Sequence, residues 1–289
     1  MATSRLVNRV PAPTYFVISA VFHYFGPSLA VLLFARVDVL GVMWLRIVTA
    51  ALVFAIWRRP WRRLAGLSGT DRAVLVALGC TLGAMNALFY LAIDRLPLST
   101  VGAIEFLGTI VLAAIGVRTR RNLIALLLVV AGVAVLTTIR FAADPIGFAL
   151  AFGNAALFGL YLVLGHRVAN SKSGSTSNGI DGIDRLALAM IIAAVVAAPF
   201  GLVEALPALT DPSLLAWGVA VGVCSSVIPY VADQLAMARL PRHTFALMLA
   251  LLPVTATVLG LLMLSQVPTV RDLAGIALVV GGIAFHRRR

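Results

Sequence analysis

Polar side chains recurring at helical spacing inside long apolar stretches are the residues of this 289-residue sequence with chemistry to offer. Asn86 and Tyr90 lie four apart and share one helical face, and Tyr230 and Gln234 repeat the spacing. Asn154, Phe158 and Tyr161, four and then three apart, line a third face, and His23 and Tyr24 stand just before Pro27. Amides and hydroxyls in this arrangement can hold a carboxylate and an ammonium group without covalent chemistry. The competing reading is that they hydrogen-bond one helix to the next. Glu105 is the one acid near the middle of an apolar run. It attracts a substrate ammonium or carries a proton, or else it pairs with Arg46 or with a neighbouring helix. Asp233 lies close to the end of its run, where a salt bridge with Arg239 is the default, and Arg46 has a stem long enough to snorkel to the outer interface. Pro27, Pro229 and Pro253 each free a backbone carbonyl, which marks either a gate or a static kink.

Reactive constellations are missing from the sequence. It has no H-E-x-x-H and no G-x-S-x-G, and His23 alone of the four histidines falls well inside an apolar run. An intramembrane enzyme is therefore disfavoured, and neither a catalytic residue, a metal nor a cofactor is expected. No G-x-x-x-x-G-K-[ST] occurs either, so any vectorial work must draw on a substrate gradient or a coupled ion, the proton being the candidate. Cys80 and Cys224 form no C-x-x-C pair and read as small packing residues. Trp44, Trp57, Trp61 and Trp217 fall near the ends of runs, as an interfacial belt would.

The elements that must position these residues are transmembrane helices. Apolar residues make up 61% of the chain and charged ones 12%, with a mean hydropathy of +1.03, whereas a soluble globule carries about 25% charged residues. Ten runs approach the ~20 residues that cross a bilayer: Pro13 to Ala35, Gly41 to Trp57, Arg72 to Ile93, Leu98 to Val117, Asn122 to Ile139, Pro145 to Gly165, Leu186 to Leu202, Leu214 to Met237, Thr244 to Leu264 and Leu273 to Phe285. Placing both termini in the cytoplasm puts most of the 23 Lys and Arg residues inside, leaves Arg36, Arg95, Arg140 and Arg271 outside, and leaves Arg46 within the second run. The net charge of +12 then reflects topology and contact with anionic lipid. Nucleic acid is not expected as a partner, because no basic face with interleaved aromatics is present. The Ser- and Gly-rich stretch from Asn170 to Asp184 reads as a flexible cytoplasmic loop.

The segment from Cys80 to Gly116 recurs as Cys224 to Gly260, with Arg95-Leu96-Pro97 falling on Arg239-Leu240-Pro241. Five runs per copy is an odd number, so the second copy enters the membrane from the opposite side. The expected fold is an all-α integral membrane protein of ten transmembrane helices, built as two inverted five-helix repeats over residues 1–143 and 144–289. In register, Asn86 and Tyr90 map onto Tyr230 and Gln234, which would place two polar stripes across a substrate pathway. Glu105 maps onto Leu249 and so is not demanded by the symmetry. Gly79 and Gly83 form a small-residue ridge for close helix approach. The third, fourth, eighth and ninth helices are expected to rock against the rest.

Several motifs resemble the drug/metabolite transporter superfamily and, within it, the EamA-type amino-acid exporters, including those for threonine and homoserine and for aromatic amino acids. They are M-N-A-L-F-Y-L-A-I at Met85 to Ile93, A-I-E-F-L-G at Ala103 to Gly108, S-S-V-I-P-Y at Ser225 to Tyr230, R-L-P-R-H-T-F at Arg239 to Phe245 and the glycine-rich run Ala274 to Ile283. The resemblance implies ten helices and export of amino acids or related small metabolites across a bacterial inner membrane. Where such families carry Gly-Glu after the ninth helix, this chain has Ser265-Gln266, and Leu252-Pro253 stands where close relatives place an acid before proline. A multidrug or lipophilic-cation exporter of the same superfamily and a passive pore are the alternative readings.

Overall fold

Short polar signatures start the helices. Asp38 accepts the Leu40 N–H at the head of the helix Val39–Arg58, and Ser68 accepts the Asp71 N–H. Asp144 accepts the Gly147 N–H, and Asp211 accepts that of Ser213 ahead of Pro212. Thr269 and Asp272 bond reciprocally, each side chain taking the other's backbone N–H. Each such cap contributes about 1 kcal/mol by satisfying donors that the first helical turn leaves unpaired.

A computed structural model describes residues 12–61, 67–105, 120–137, 144–170, 182–237 and 251–285. Among them there is no strand. The long helices are α1 (Ala12–Leu33), α2 (Val39–Arg58) and α3 (Gly69–Arg95), followed by α4, described over 98–105, and α5 (Arg120–Thr137). Then come α6 (Pro145–Asn170), α7 (Gly182–Gly201), α8, α9 (Leu251–Leu264) and α10 (Val270–Phe285). Helix α8 is built in three joined pieces: α-helical Pro212–Gly222, a π-helical turn at Val223–Val227 and α-helical Ile228–Met237. A short helix, Leu206–Thr210, precedes it.

Six of the described helices are long and apolar enough to cross a membrane: Thr14–Leu33, Val39–Arg58, Gly69–Arg95, Pro145–Gly165, Ile183–Gly201 and Pro212–Asp233. Their outward residues are apolar, among them Leu52, Ile56, Val163 and Val195. The chain is thus a multi-pass membrane protein. The remaining parts of the expected fourth and ninth runs, 106–117 and 244–250, lie outside the described residues.

Helix α3 packs on α6 and α7, and α8 packs on α1 and α2; α2 also lies along α7, α5 along α10, and α9 along α1. Close approach is made by glycine. A Cβ on Gly79 would meet the Ile192 side chain at 2.6 Å, so the ridge expected on α3 is an α3–α7 contact. A Cβ on Gly26 would run into Ser225 in the π-helical turn. Charged groups collect at helix ends. Arg58 donates to Asp184 at 2.5 Å and Arg185 faces Asp71 at one end, while Arg95 pairs with Asp144 at 3.7 Å at the other end of α3.

Several expectations need correction. Helix α6 runs to Asn170 and α7 starts at Gly182, so the expected loop is shorter at both ends; residues 171–181 lie outside the described residues. Asp184, placed at that loop's edge by its polar context, is buried because it receives Arg58. Trp44 does not belong to the belt, since its indole Nε1 donates to the Ala194 carbonyl of α7 at 3.2 Å. Trp57, Trp61 and Trp217 are exposed. Cys80 and Cys224 are free thiols, and Cys80 is exposed and does not pack in the interior.

Candidate functional site

The polar stripes converge. Asn86 on α3 is buried, donates to the Leu82 carbonyl one turn back at 2.7 Å, and lies beside the Tyr230 hydroxyl of α8. The two symmetry-related positions singled out by the duplication therefore meet. Tyr230 also sets its ring 6.1 Å from that of Tyr161 on α6, which in turn lies 5.9 Å from Phe158. Gln234 belongs to α8, but its side chain lies outside the described part of the structure.

Glu105 is the centre of a second set of contacts. It is 3% exposed, and its two carboxylate oxygens are shared between helices. Asn154 Nδ2 of α6 donates to Oε1 at 3.2 Å, and the Tyr24 hydroxyl of α1 donates to Oε2 at 3.4 Å. His23 Nε2 stands 4.0 Å from Oε2. A carboxylate taken into a membrane interior needs such donors, because no water is there to solvate it. The contacts come from two other helices, α1 and α6. Asn154 Oδ1 and the Tyr90 hydroxyl are buried and have no hydrogen-bond partner among the described residues. Unsatisfied buried polar atoms are rare in folded proteins, and a binding site is one setting that gives them a partner on loading.

Arg46 was missing from the expected site, and it does not snorkel. It is 4% exposed, with its guanidinium 5.3 Å from the Tyr90 ring centre. Its Nε donates to the Ser226 hydroxyl and its Nη2 to the Ser225 carbonyl, both at 2.8 Å. The cause lies in α8. Pro229 has no N–H to offer the Ser225 carbonyl four residues earlier, and the π-helical turn opens the backbone there. The freed carbonyl then holds the arginine. Close contact between α8 and α2 makes this possible, since a Cβ on Gly222 would stand 2.5 Å from Thr49 Cβ. Among the described residues no carboxylate lies within 4.0 Å of Arg46, although its charge reaches Glu105, His23 and Tyr230.

Of the three prolines, Pro229 is thus tied to the site. Pro27 follows Tyr24 on α1, where Ser28 Oγ donates to the Tyr24 carbonyl at 2.8 Å. Pro253 lies in the first described turn of α9, its carbonyl accepting from Thr257 Oγ1 at 2.8 Å. Asp233 faces Ser19 of α1; Arg239 lies outside the described residues. Gln266 also has a structural partner, its Oε1 accepting the Leu98 N–H at the start of α4 at 3.1 Å.

Helices with apolar outer faces enclose buried charged groups and unpartnered polar atoms, the build of a membrane protein with a polar interior. The chain belongs to the EamA-like transporter family, whose model matches residues 145–287, and so to a family of transporters and not of enzymes. It is 33% identical over 247 residues to the threonine/homoserine exporter RhtA of Salmonella typhimurium (strain SL1344), covering 84% of this chain and 80% of that protein. It is 31% identical over 258 residues to the threonine/homoserine exporter RhtA of Escherichia coli (strain K12), covering 88% and 84%. A solved crystal structure shares the fold with a TM-score of 0.59 at 19% identity, over 94% of this chain and 96% of that one.

Proposed function

We propose that this protein exports α-amino acids across a bacterial inner membrane by alternating access, binding the zwitterion between Glu105 and Arg46. One observation carries the reading: two buried opposite charges are each held by neutral protein groups and are not paired with one another. A charge in hydrocarbon normally takes the nearest counter-charge. Here the protein keeps them apart, and an amino acid brings an ammonium for Glu105 and a carboxylate for Arg46. The orphaned Tyr90 hydroxyl and Asn154 Oδ1 then remain for a polar side chain. The threonine and homoserine exported by the named relatives have such a side chain, which supports that pair as first candidates.

Ten membrane crossings in two inverted halves suit the same reading. The family match over 145–287 supports a second half that is a unit. The packing is also symmetric under exchange of halves, with α3 on α6 answering α8 on α1, and α3 on α7 answering α8 on α2. Rocking of α3 and α4 together with α8 and α9 against the remaining helices is the motion that goes with this reading. Termini on the cytoplasmic side are supported by the charge bias of the loops.

The rings of Phe158, Tyr161 and Tyr230 favour a second reading, a lipophilic-cation exporter using Glu105 and the aromatics. Counterflow of labelled threonine in liposomes separates the two. Free α-amino acids should compete, while the methyl ester and the N-acetyl derivative should be at least about tenfold weaker, since each removes a charge-assisted contact. Equal competition by the ester moves the substrate class to cations, and absence of saturable flux removes the carrier reading.

A further inference from the structure

A second arginine is buried at the far end of α3, about 24 Å from Asn86 along that helix at 1.5 Å per residue. Arg185, at the start of α7, is 2% exposed. Its Nη1 is occupied: it donates to the Val168 carbonyl at 3.3 Å and faces Asp71 Oδ1 at 3.7 Å. Its Nε and Nη2 are buried and, among the described residues, have no hydrogen-bond partner. These two nitrogens form the side edge of the guanidinium, whose parallel N–H bonds match the two oxygens of a carboxylate or phosphate. The arginine lines a cavity of about 180 Å³ together with Thr70, Asp71, Val74, Arg167 and Val168.

Charges around the cavity can be followed group by group. Asp184, the neighbour of Arg185, is engaged by Arg58. Asp71 takes the Ser68 hydroxyl as well as facing Arg185. Among the described lining residues, Arg185 and Arg167 outweigh Asp71 by one positive charge. The first turn of α3 adds Thr70 at its wall, in a region where a helix N-terminus favours an anion.

We infer that this cavity, at the junction of α3, α6 and α7, is a binding site for a small oxyanion headgroup, held side-on by Arg185 Nε and Nη2 with Arg167 at the rim. The phosphodiester of an anionic lipid and a free phosphate have this chemistry in common. The site is separate from the Glu105 and Arg46 cluster and does not depend on the transport reading. A ligand bound there clamps three helices that belong to both halves of the bundle.

Thermal unfolding of the purified full-length protein tests it. Inorganic phosphate, against chloride at equal ionic strength, should raise the wild-type Tm by about 4 °C, and phosphatidylglycerol should do so against phosphatidylcholine. Stabilisation by both assigns any small oxyanion, and stabilisation by phosphatidylglycerol alone assigns the lipid. Arg185→Gln should abolish the shift and Arg167→Gln should reduce it. Should Arg185→Gln not fold, Thr70→Glu supplies an internal carboxylate, and it should raise the Tm without any additive and remove the response to one. No shift with either probe in the wild type, or an equal shift in Arg167→Gln and Thr70→Glu, overturns the proposal.

Discussion

Tyr90 and Glu105 make different demands on the protein, and substitution separates them. The Tyr90 hydroxyl is buried without a partner, so Tyr90→Phe removes no protein hydrogen bond. Its Tm should stay level or rise slightly, while substrate affinity in counterflow should fall about fivefold to tenfold, the effect of one neutral hydrogen bond of ~1–1.5 kcal/mol. Glu105→Gln keeps the shape and the Asn154 contact but removes the charge. Transport should fall at least about tenfold with expression retained, because an ion-pairing hydrogen bond is roughly twice as strong as a neutral one. Unchanged transport in Glu105→Gln would leave that residue a structural tie between α1, α4 and α6. The sequence singles out both residues by rule: a polar atom in an apolar run must have a reason. Arg46 escapes that rule. A long basic side chain in a span reads equally well as snorkelling, and its acceptors lie 179 and 180 residues away on a backbone opened by proline and a π-helical turn. Local pattern carries no trace of that pairing.

At the level of the element, α8 departs most from a regular helix. Its π-helical turn and Pro229 expose the Ser225 carbonyl that holds Arg46. Pro229→Ala returns an N–H to that carbonyl and sets the backbone in competition with the arginine. An interior proline costs a helix about 3 kcal/mol, so the variant should be as stable as the parent or more so. Its transport should nevertheless fall about tenfold, read as the initial counterflow rate at fixed protein. Transport at the parent level, with the Tm raised, would make Pro229 a static kink. Helix positions were legible because apolar runs, caps and prolines bracket them locally. The ends were less so: Ser68 starts α3 before Arg72, and α6 continues beyond Gly165 because Val168 and Arg167 still face neighbours. Loop composition there resembled linker while the chain was still helical.

For the whole molecule, the duplicated segment already announces that Asn86 and Tyr230 occupy equivalent places, and the structure brings them into contact. The central claim is one polar site, on α1, α2, α3, α4, α6 and α8, that opens alternately to each face of the membrane. Cysteine labelling tests it most directly. With Cys80 and Cys224 first replaced by Ala, a single cysteine at Asn86 or at Tyr230 is exposed in oriented vesicles to an impermeant thiol reagent from one side at a time. The account predicts labelling from both sides, with saturating threonine slowing it at least about fivefold and changing the ratio of rates between the two sides. Labelling from one side only, at a rate indifferent to any amino acid, would contradict it.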